Sequence, residues 1–387
     1  VTAPGATALF LETFGRAAEG VWSAPGRVNL IGEHTDYNAG LCLPIALPQR
    51  TYAACARRED EVLRVVSRQG DGVVEVRLGD VAPGSPGDWA AYVAGVPWAL
   101  AKAGHAVTGL DVAIDSSVPL GAGLSSSAAL ECAVGAALSD LCGLGLLDSP
   151  GGRARLAAAC VEAENTIAQA PTGGMDQSAA LLAEPGTALL LDCRDHSTSA
   201  VPFDLEAVGL ALLVIDTRAE HTLVDGQYAE RRASCEQAAR ELGVATLREV
   251  PVKGLGERLA GLSSDLLRRR ARHVVTEIAR VQRAVEALQA DDFAELGRQF
   301  LASHASMRDD FEISVDELDT AVEAAVEAGA LGARMTGGGF GGSAIALVPR
   351  PLVPGARAHI GQAFADRGFR APECFAVTAS TAAHRDG

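Results

Sequence analysis

The chain lacks any uninterrupted apolar run approaching the ~18 residues that a membrane-spanning helix needs, which argues against a helical membrane protein. Its first 25 residues, broken by Glu12, Arg16 and Glu19, lack the apolar core of a signal peptide, so a cytoplasmic location is expected. Positive charge is also short: 33 Lys and Arg against 49 Asp and Glu leave a net charge of −16, which points away from nucleic acid. A phosphate-bearing substrate must therefore be held by a local cradle of backbone N–H groups, Arg, Lys or metal. Eight cysteines are present, but no C-x-x-C pair and no matching histidine spacing, so neither a zinc site nor a disulfide framework is indicated. Several lie in apolar runs, where free cysteine behaves as a small buried hydrophobe, and a reducing compartment is the simplest reading. No internal repeat or low-complexity segment stands out.

What is present is 387 residues, 48% of them hydrophobic, the profile of a globular protein of about two domains. Short β-favouring pieces at 51–56, 62–67 and 73–78, separated by polar turns, are expected to be antiparallel strands. Asp88 is expected to cap a helix running to Lys102 and kinked at Pro97. Residues 110–118 alternate like a strand and run into a glycine loop at 119–127, followed by a small-residue helix over 128–141. A helix at 152–168 and strands at 187–192 and 210–216 follow. The Val201-Pro202-Phe203-Asp204 region between those strands is the expected boundary between domains 1–200 and 201–387. Beyond it helices are expected at 228–242, 265–288 and 292–311, then one opened by a Ser314/Glu317 capping box. Strands return at 343–348 and 374–380, with a helix between them. Strands before and after a helical block imply an α+β architecture with two lobes.

Four segments carry chemistry. Gly26 to Tyr37 reads Gly-Arg-Val-Asn-Leu-Ile-Gly-Glu-His-Thr-Asp-Tyr, placing Arg27, Asn29, Glu33, His34 and Asp36 around an apolar step at Leu30 and Ile31. Such a cluster suits a ligand with many hydroxyls, such as a sugar; the other reading is a charged surface turn. The loop Pro119-Leu120-Gly121-Ala122-Gly123-Leu124-Ser125-Ser126-Ser127 precedes a helix, and amides at a helix N-terminus form an anion site. Its G-x-G-x-x-S spacing lacks both the Lys of a Walker loop and the third glycine of a dinucleotide fingerprint, and a ligand-free glycine turn with a serine cap is the alternative. In Gly173-Gly174-Met175-Asp176-Gln177, Asp176 is either a helix cap or an acceptor for a substrate proton. Glu164, twelve residues earlier, is either a solvated helical carboxylate or a partner in a Mg²⁺ site. Finally, five glycines fill six positions over 337–342, just before a strand, which implies a sharp turn or a close backbone approach.

In this order the four segments resemble the galactokinase branch of the GHMP small-molecule kinases: 26–37 the sugar signature, 119–129 the phosphate loop, and 337–342 the C-terminal glycine motif. Asp88-Trp89-Ala90-Ala91-Tyr92-Val93 and Gly226-Gln227-Tyr228-Ala229-Glu230-Arg231-Arg232 extend the resemblance over nearly the whole chain. It implies a two-lobed GHMP fold with the active site in the cleft and ATP-dependent phosphorylation of the anomeric hydroxyl of galactose, the first step of galactose catabolism. It further implies that Asp176 is the catalytic base, oriented by Arg27, and that Glu33, His34, Thr35, Asp36, Gly173, Asp176 and Tyr228 form the sugar pocket. Gly121, Ala122, Gly123, Leu124, Ser125, Ser126 and Ser127 would cradle the ATP phosphates, with Trp89 near the adenine and Ser127 and Glu164 as Mg²⁺ ligands. A monomer without membrane or nucleic-acid partners is expected. Two rivals remain open: a related kinase for N-acetylgalactosamine, arabinose or galacturonate, and a non-catalytic sensor of galactose and ATP. Fungal sensors of that kind lack two residues of the serine-alanine run, which is intact here at Ser125-Ser126-Ser127-Ala128-Ala129.

Overall fold

The computed structural model describes residues 2–219 and 224–387. Helix α1 (Ala3–Phe14), whose Gly5 N–H is capped by the Thr2 hydroxyl, leads into β1 (Gly20–Asn29), a strand buried along its whole length. Next come β2 (Leu41–Cys42), β3 (Pro44–Arg57), β4 (Val62–Ser67) and β5 (Val73–Arg77), then α2 (Ala90–Lys102) and β6 (Leu110–Ser116). Helices α3 (Ser126–Leu141), α4 (Pro150–Ala163) and α5 (Met175–Leu182) precede β7 (Thr187–Asp192), β8 (Ser197–Pro202) and β9 (Leu210–Asp216). The remainder is α6 (Val224–Leu242), α7 (Leu255–Ala260), α8 (Asp265–Gln289), α9 (Phe293–Ser306), α10 (Asp316–Glu327), β10 (Gly332–Thr336), β11 (Ser343–Pro349), α11 (Val353–Asp366), β12 (Glu373–Val377) and β13 (His384–Arg385).

Three sheets organise the described residues, in the orders β13-β1-β3-β6-β4-β5, β10-β11-β9-β12 and β2-β7-β8. The expected antiparallel run from β3 to β5 is corrected in one respect. β6 inserts between β3 and β4 and pairs with β4 in parallel, because α2 carries the chain back across the sheet. One face of the large sheet is covered by α2, α3 and α4 through Val65, Val93, Val112, Ala133 and Leu156, and the other by α1 through Phe10. A second core joins β9, β11 and α8 to α10, and residues Val28, Leu30 and Ile31 belong to it, whereas Trp22 and Ala24 belong to the first. β1 thus begins in one core and ends in the other. The change falls at a register shift between Pro25 and Arg27, where a Cβ on Gly26 would lie 2.6 Å from the Leu124 carbonyl oxygen.

Several local expectations are corrected. Asp88 does not cap α2, which starts after Trp89 with no side-chain cap and runs on through Pro97. Ser314 bonds Asp319 instead of closing a capping box, and α10 starts one residue later than that box requires. The 152–168 and 292–311 helices each end in a π-helical turn, Glu164–Ala168 and Met307–Phe311. β8 is an additional strand that runs into the expected domain boundary, with every residue but Val201 exposed. All eight cysteines are free thiols. No described helix is long and apolar enough to cross a membrane.

Candidate active site

Past the end of β1 the chain enters a tight turn over 30–40. Gly32 (φ +105°) and His34 (φ +59°) both occupy left-handed conformations, and for histidine that is backbone strain of the kind found at functional sites. Thr35 is fully packed inside the turn, its hydroxyl 2.7 Å from the Leu41 carbonyl and 2.9 Å from that of Gly32, so it locks the loop. The strained backbone of His34 turns its ring toward Tyr37, Tyr228 and Phe311. Its Nε2 lies 3.0 Å from the Gly338 carbonyl, which can only accept, so the proton sits on Nε2 and Nδ1 accepts from the Tyr37 hydroxyl at 2.7 Å. Burial lowers its pKa to about 4, so the ring is neutral with both nitrogens engaged by protein. Glu33 turns the other way. Its carboxylate accepts from Arg334, from the Gly337 N–H at 3.1 Å and from the Thr336 hydroxyl.

Asp36 faces a different set of groups. Gly173 lies against it so closely that a Cβ at 173 would overlap the Asp36 carboxylate. Burial, with Asp176 nearby, raises the Asp36 pKa to about 6. Asp176, second residue of α5, is held by a two-pronged bond: Arg27 Nε donates to Oδ1 and Nη2 to Oδ2, both at 2.8 Å. The third Arg27 contact is the Gly123 carbonyl, 2.6 Å from Nη1, and the Ser125 hydroxyl donates to Asp176 Oδ2. Ser125 adopts φ +61° to do so. Asp176, Asp36 and Tyr228 are mutually close: both carboxylates add to the burial that raises the Tyr228 pKa, and the Tyr228 and Tyr37 rings meet edge to face at 5.5 Å.

The 119–127 loop turns through Gly121 and Gly123, both at φ +71°. Its carbonyls point into protein: Ala122 accepts from the Ser343 hydroxyl at 2.7 Å and Leu124 from the Arg27 N–H at 3.1 Å. The first-turn amides of α3, at Ser126, Ser127 and Ala128, have no acceptor within the helix and head an anion-binding N-terminus. The 337–342 glycines lie directly on this loop. A Cβ at Gly337 would sit 2.8 Å from the Gly123 carbonyl, and one at Gly342 would sit 3.1 Å from that of Ala122. Beside Ser126 and Ser127 opens a slot of about 250 Å³ lined by Trp89, Tyr92, Leu120 and Leu130, with Thr51, Ser67, Gln69 and Ser116 among its polar groups. A larger cavity, about 600 Å³ between Phe203 and Val353, touches none of these residues.

Behind Asp176 lies a buried carboxyl cluster. Gln177 donates to Glu164 and, at 3.1 Å, to Glu131. Burial and the neighbouring Asp176 raise the Glu164 pKa to about 7, while burial and Glu164 push Glu131 well up. Among the described residues no three His, Cys, Asp or Glu side chains form a ready metal cluster. The donor chemistry nevertheless fits Mg²⁺: Ser127 bonds Glu164, buried carboxyls outnumber the single Arg27, and Glu131 Oε1 has no protein partner.

The expected residues therefore fall into groups. Arg27, Asp176, Ser125, Asp36, Gly173 and Tyr228 converge, while Gly121 to Ser127 and Trp89 surround the adjoining loop and slot, with Leu124 itself packed into the second core. Sequence reasoning missed Tyr37, Glu131, Gln177, Glu277 and Arg334. Tyr37 and Gln177 each adjoin a recognised aspartate, which was the available signal; the others look like ordinary helix or strand residues.

The chain matches the galactokinase galactose-binding signature at residues 8–57, the GHMP kinase N-terminal domain at 91–184 and the GHMP kinase C-terminal domain at 284–365. It is 50% identical over 378 residues to a galactokinase of Streptomyces coelicolor, covering 97% of this chain and 96% of the relative. A Mycobacterium tuberculosis galactokinase is also 50% identical, over 85% of this chain and 88% of its own. The structure of Lactococcus lactis galactokinase complexed with galactose superposes with a TM-score of 0.93 at 33% identity, covering 98% of this chain and 99% of that one. By sequence and by fold, the chain belongs to the galactokinase family of the GHMP kinases.

Proposed function

We propose that the chain transfers the γ-phosphoryl group of ATP to the anomeric hydroxyl of D-galactose, giving galactose 1-phosphate and ADP. The observation that carries this reading is the two-pronged Arg27–Asp176 bond, set between the phosphate loop and the Asp36–Gly173 contact. Asp176 takes the anomeric proton as that oxygen attacks the γ-phosphorus, and the bond to the β-phosphate oxygen breaks as ADP leaves. Arg27 keeps the carboxylate oriented and offers positive charge to the transferring group. The transition state of such transfers is loose, so positioning and charge stabilisation act alongside proton removal.

Asp36 and Tyr228 hold sugar hydroxyls in this reading, and Gly173 leaves the space for one. Glu33, its carboxylate held by Arg334 and the Gly337 N–H, braces the wall of the sugar pocket, while His34, its nitrogens engaged, contributes shape through its ring. Thr35 fixes the turn. Gly121, Ala122, Gly123, Leu124, Ser125, Ser126 and Ser127 wrap the phosphates, and Trp89 with Leu120 flanks the adenine. Ser127 and Glu164 would hold Mg²⁺, which when bound neutralises phosphate charge. A cytoplasmic setting fits the free thiols. A monomer with lobes dividing near residue 201 completes the reading, and sedimentation tests the first part.

The test is turnover on a panel of galactose, glucose, N-acetylgalactosamine, arabinose and galacturonate in a coupled ADP-release assay. Galactose is expected to exceed its C4 epimer glucose by at least ~10²-fold in kcat/KM, because a site built to bond a hydroxyl leaves its own groups unpaired when that hydroxyl is misplaced. Equal turnover of the two sugars, or a better substrate elsewhere in the panel, overturns the assignment to galactose. No turnover of any sugar favours the sensor.

A further inference from the structure

The sugar-binding turn leaves regular pairing at the end of β1, yet its backbone is not left to solvent. Arg334 on β10, fully buried, places Nη1 2.7 Å from the Leu30 carbonyl and 3.3 Å from that of Asn29. Glu277 on α8, also fully buried, accepts the Gly32 N–H at 3.0 Å. His273, one turn earlier on α8, sets Nε2 3.2 Å from the Glu33 carbonyl and is fixed on its other side by Ser306 at 2.9 Å. Polar backbone groups of four residues in the stretch 29–33 are thus satisfied by side chains of α8 and β10, which replace the missing strand.

The charges interlock as well. Arg334 Nη2 bonds the Glu33 carboxylate and lies 3.5 Å from Glu277 Oε1, so one guanidinium is shared by two carboxylates. Glu277 is in turn held by Arg280 Nε at 2.7 Å and the Ser303 hydroxyl at 2.6 Å. Two carboxylates and two guanidiniums balance in a space closed to water, and each side chain has few alternative positions.

We propose that Glu277 is a positioning residue for sugar recognition, fixing the Ile31-Gly32 peptide through the Gly32 N–H and steadying Arg334, which holds the Glu33 carboxylate and the Leu30 carbonyl, so that the turn presents Asp36 in one position. The inference rests on the reading of residues 32–37 as the sugar-binding element. Glu277 touches no reacting atom; it acts through Gly32, Arg334 and Glu33. Neutralising it weakens the bond to the Gly32 N–H and leaves the Arg280 guanidinium without its counter-charge, which loosens the turn.

The experiment compares Glu277→Gln, Glu277→Asp and Ser303→Ala with the wild-type enzyme, measuring KM for galactose and for ATP and galactose Kd by calorimetry on protein verified as folded by circular dichroism. Glu277→Gln is expected to raise galactose KM and Kd five- to tenfold with ATP KM within twofold. Glu277→Asp, which keeps the charge, recovers part of the loss, and Ser303→Ala raises galactose KM two- to threefold. A purely structural role would lower the melting temperature and the active fraction without moving galactose KM. Galactose KM within twofold of wild type in folded Glu277→Gln and Ser303→Ala overturns the proposal. Should Glu277→Gln not fold, Ser303→Ala decides by the same criterion. A wild-type enzyme that neither binds nor phosphorylates galactose overturns the underlying reading instead.

Discussion

Replacing Asp176 by Asn tests the centre of the mechanism, and its size follows from the contacts. Three donors converge on two oxygens: Arg27 Nε on Oδ1, and Arg27 Nη2 and the Ser125 hydroxyl on Oδ2. An amide offers one oxygen and one NH₂ group. Whichever way it turns, one Arg27 N–H meets another N–H, and the guanidinium, whose side chain is 7% exposed, loses its counter-charge. An unsatisfied buried donor costs about 1–3 kcal/mol, which the site relieves by rotating Arg27 away from the line of phosphoryl transfer. The proton acceptor disappears at the same time, an effect worth ~10²–10⁴-fold. The expected result is a fall in kcat of ~10³-fold, about 4 kcal/mol of barrier. Coupled ADP release at saturating galactose and ATP measures it, with calorimetric ATP binding expected to stay within about threefold because the first-turn amides of α3 do not bond Asp176. A kcat within fivefold of wild type would refute the base assignment and leave Asp176 as a helix-end residue.

The other predictions concern the pockets. Gly173→Ala forces a methyl group onto the Asp36 carboxylate, so galactose KM should rise by more than ~10-fold, the range for misplacing a hydrogen-bonded group, while ATP KM stays unchanged in steady-state kinetics. Asp36, with a pKa raised to about 6 by burial and by Asp176, takes up a proton as the pH falls through 6 and loses acceptor capacity. kcat/KM for galactose should therefore decline on the acid side of 6 in a pH profile, and Asp36→Asn should lie lower and lose this step. Trp89→Ala strips one wall from the slot beside Ser126 and Ser127, and an ATP KM raised ~10-fold with galactose KM unmoved is expected from losing aromatic burial of about 1.5 kcal/mol.

Much of this site was legible in the sequence because its chemistry lies in contiguous motifs. A glycine loop running into a small-residue helix, and two glycines before Asp176, specify backbone geometry almost on their own, and the strands at 187–192 and 210–216 match to the residue. Side-chain direction was less legible. His34 and Glu33 are adjacent in the signature, yet the left-handed turn at His34 sends one ring into an aromatic cluster and the other side chain to Arg334. Thr35, expected on the sugar, serves the loop's own carbonyls. Glu277 and Arg334 were invisible because their partners lie 245 and 301 residues away, and a charged residue on a helix reads as solvated until its neighbours are known. The same blindness to distant pairing hid the insertion of β6 between β3 and β4.

The pairing of β13 with β1 bears on how the chain reaches this state. Trp22 and Ser23 sit opposite Arg385 and His384, and the Arg50 guanidinium reaches the Thr381 and Ala382 carbonyls. The strand that carries Arg27 into the active site therefore keeps an open edge until residues about 360 positions later have left the ribosome, roughly 20–70 s at ordinary elongation rates. Throughout that interval a fully buried strand of the final structure presents unpaired backbone to other chains. Newly made protein is thus open to misassociation at the same strand that carries Arg27, and a brief wait for β13 is part of its biosynthesis.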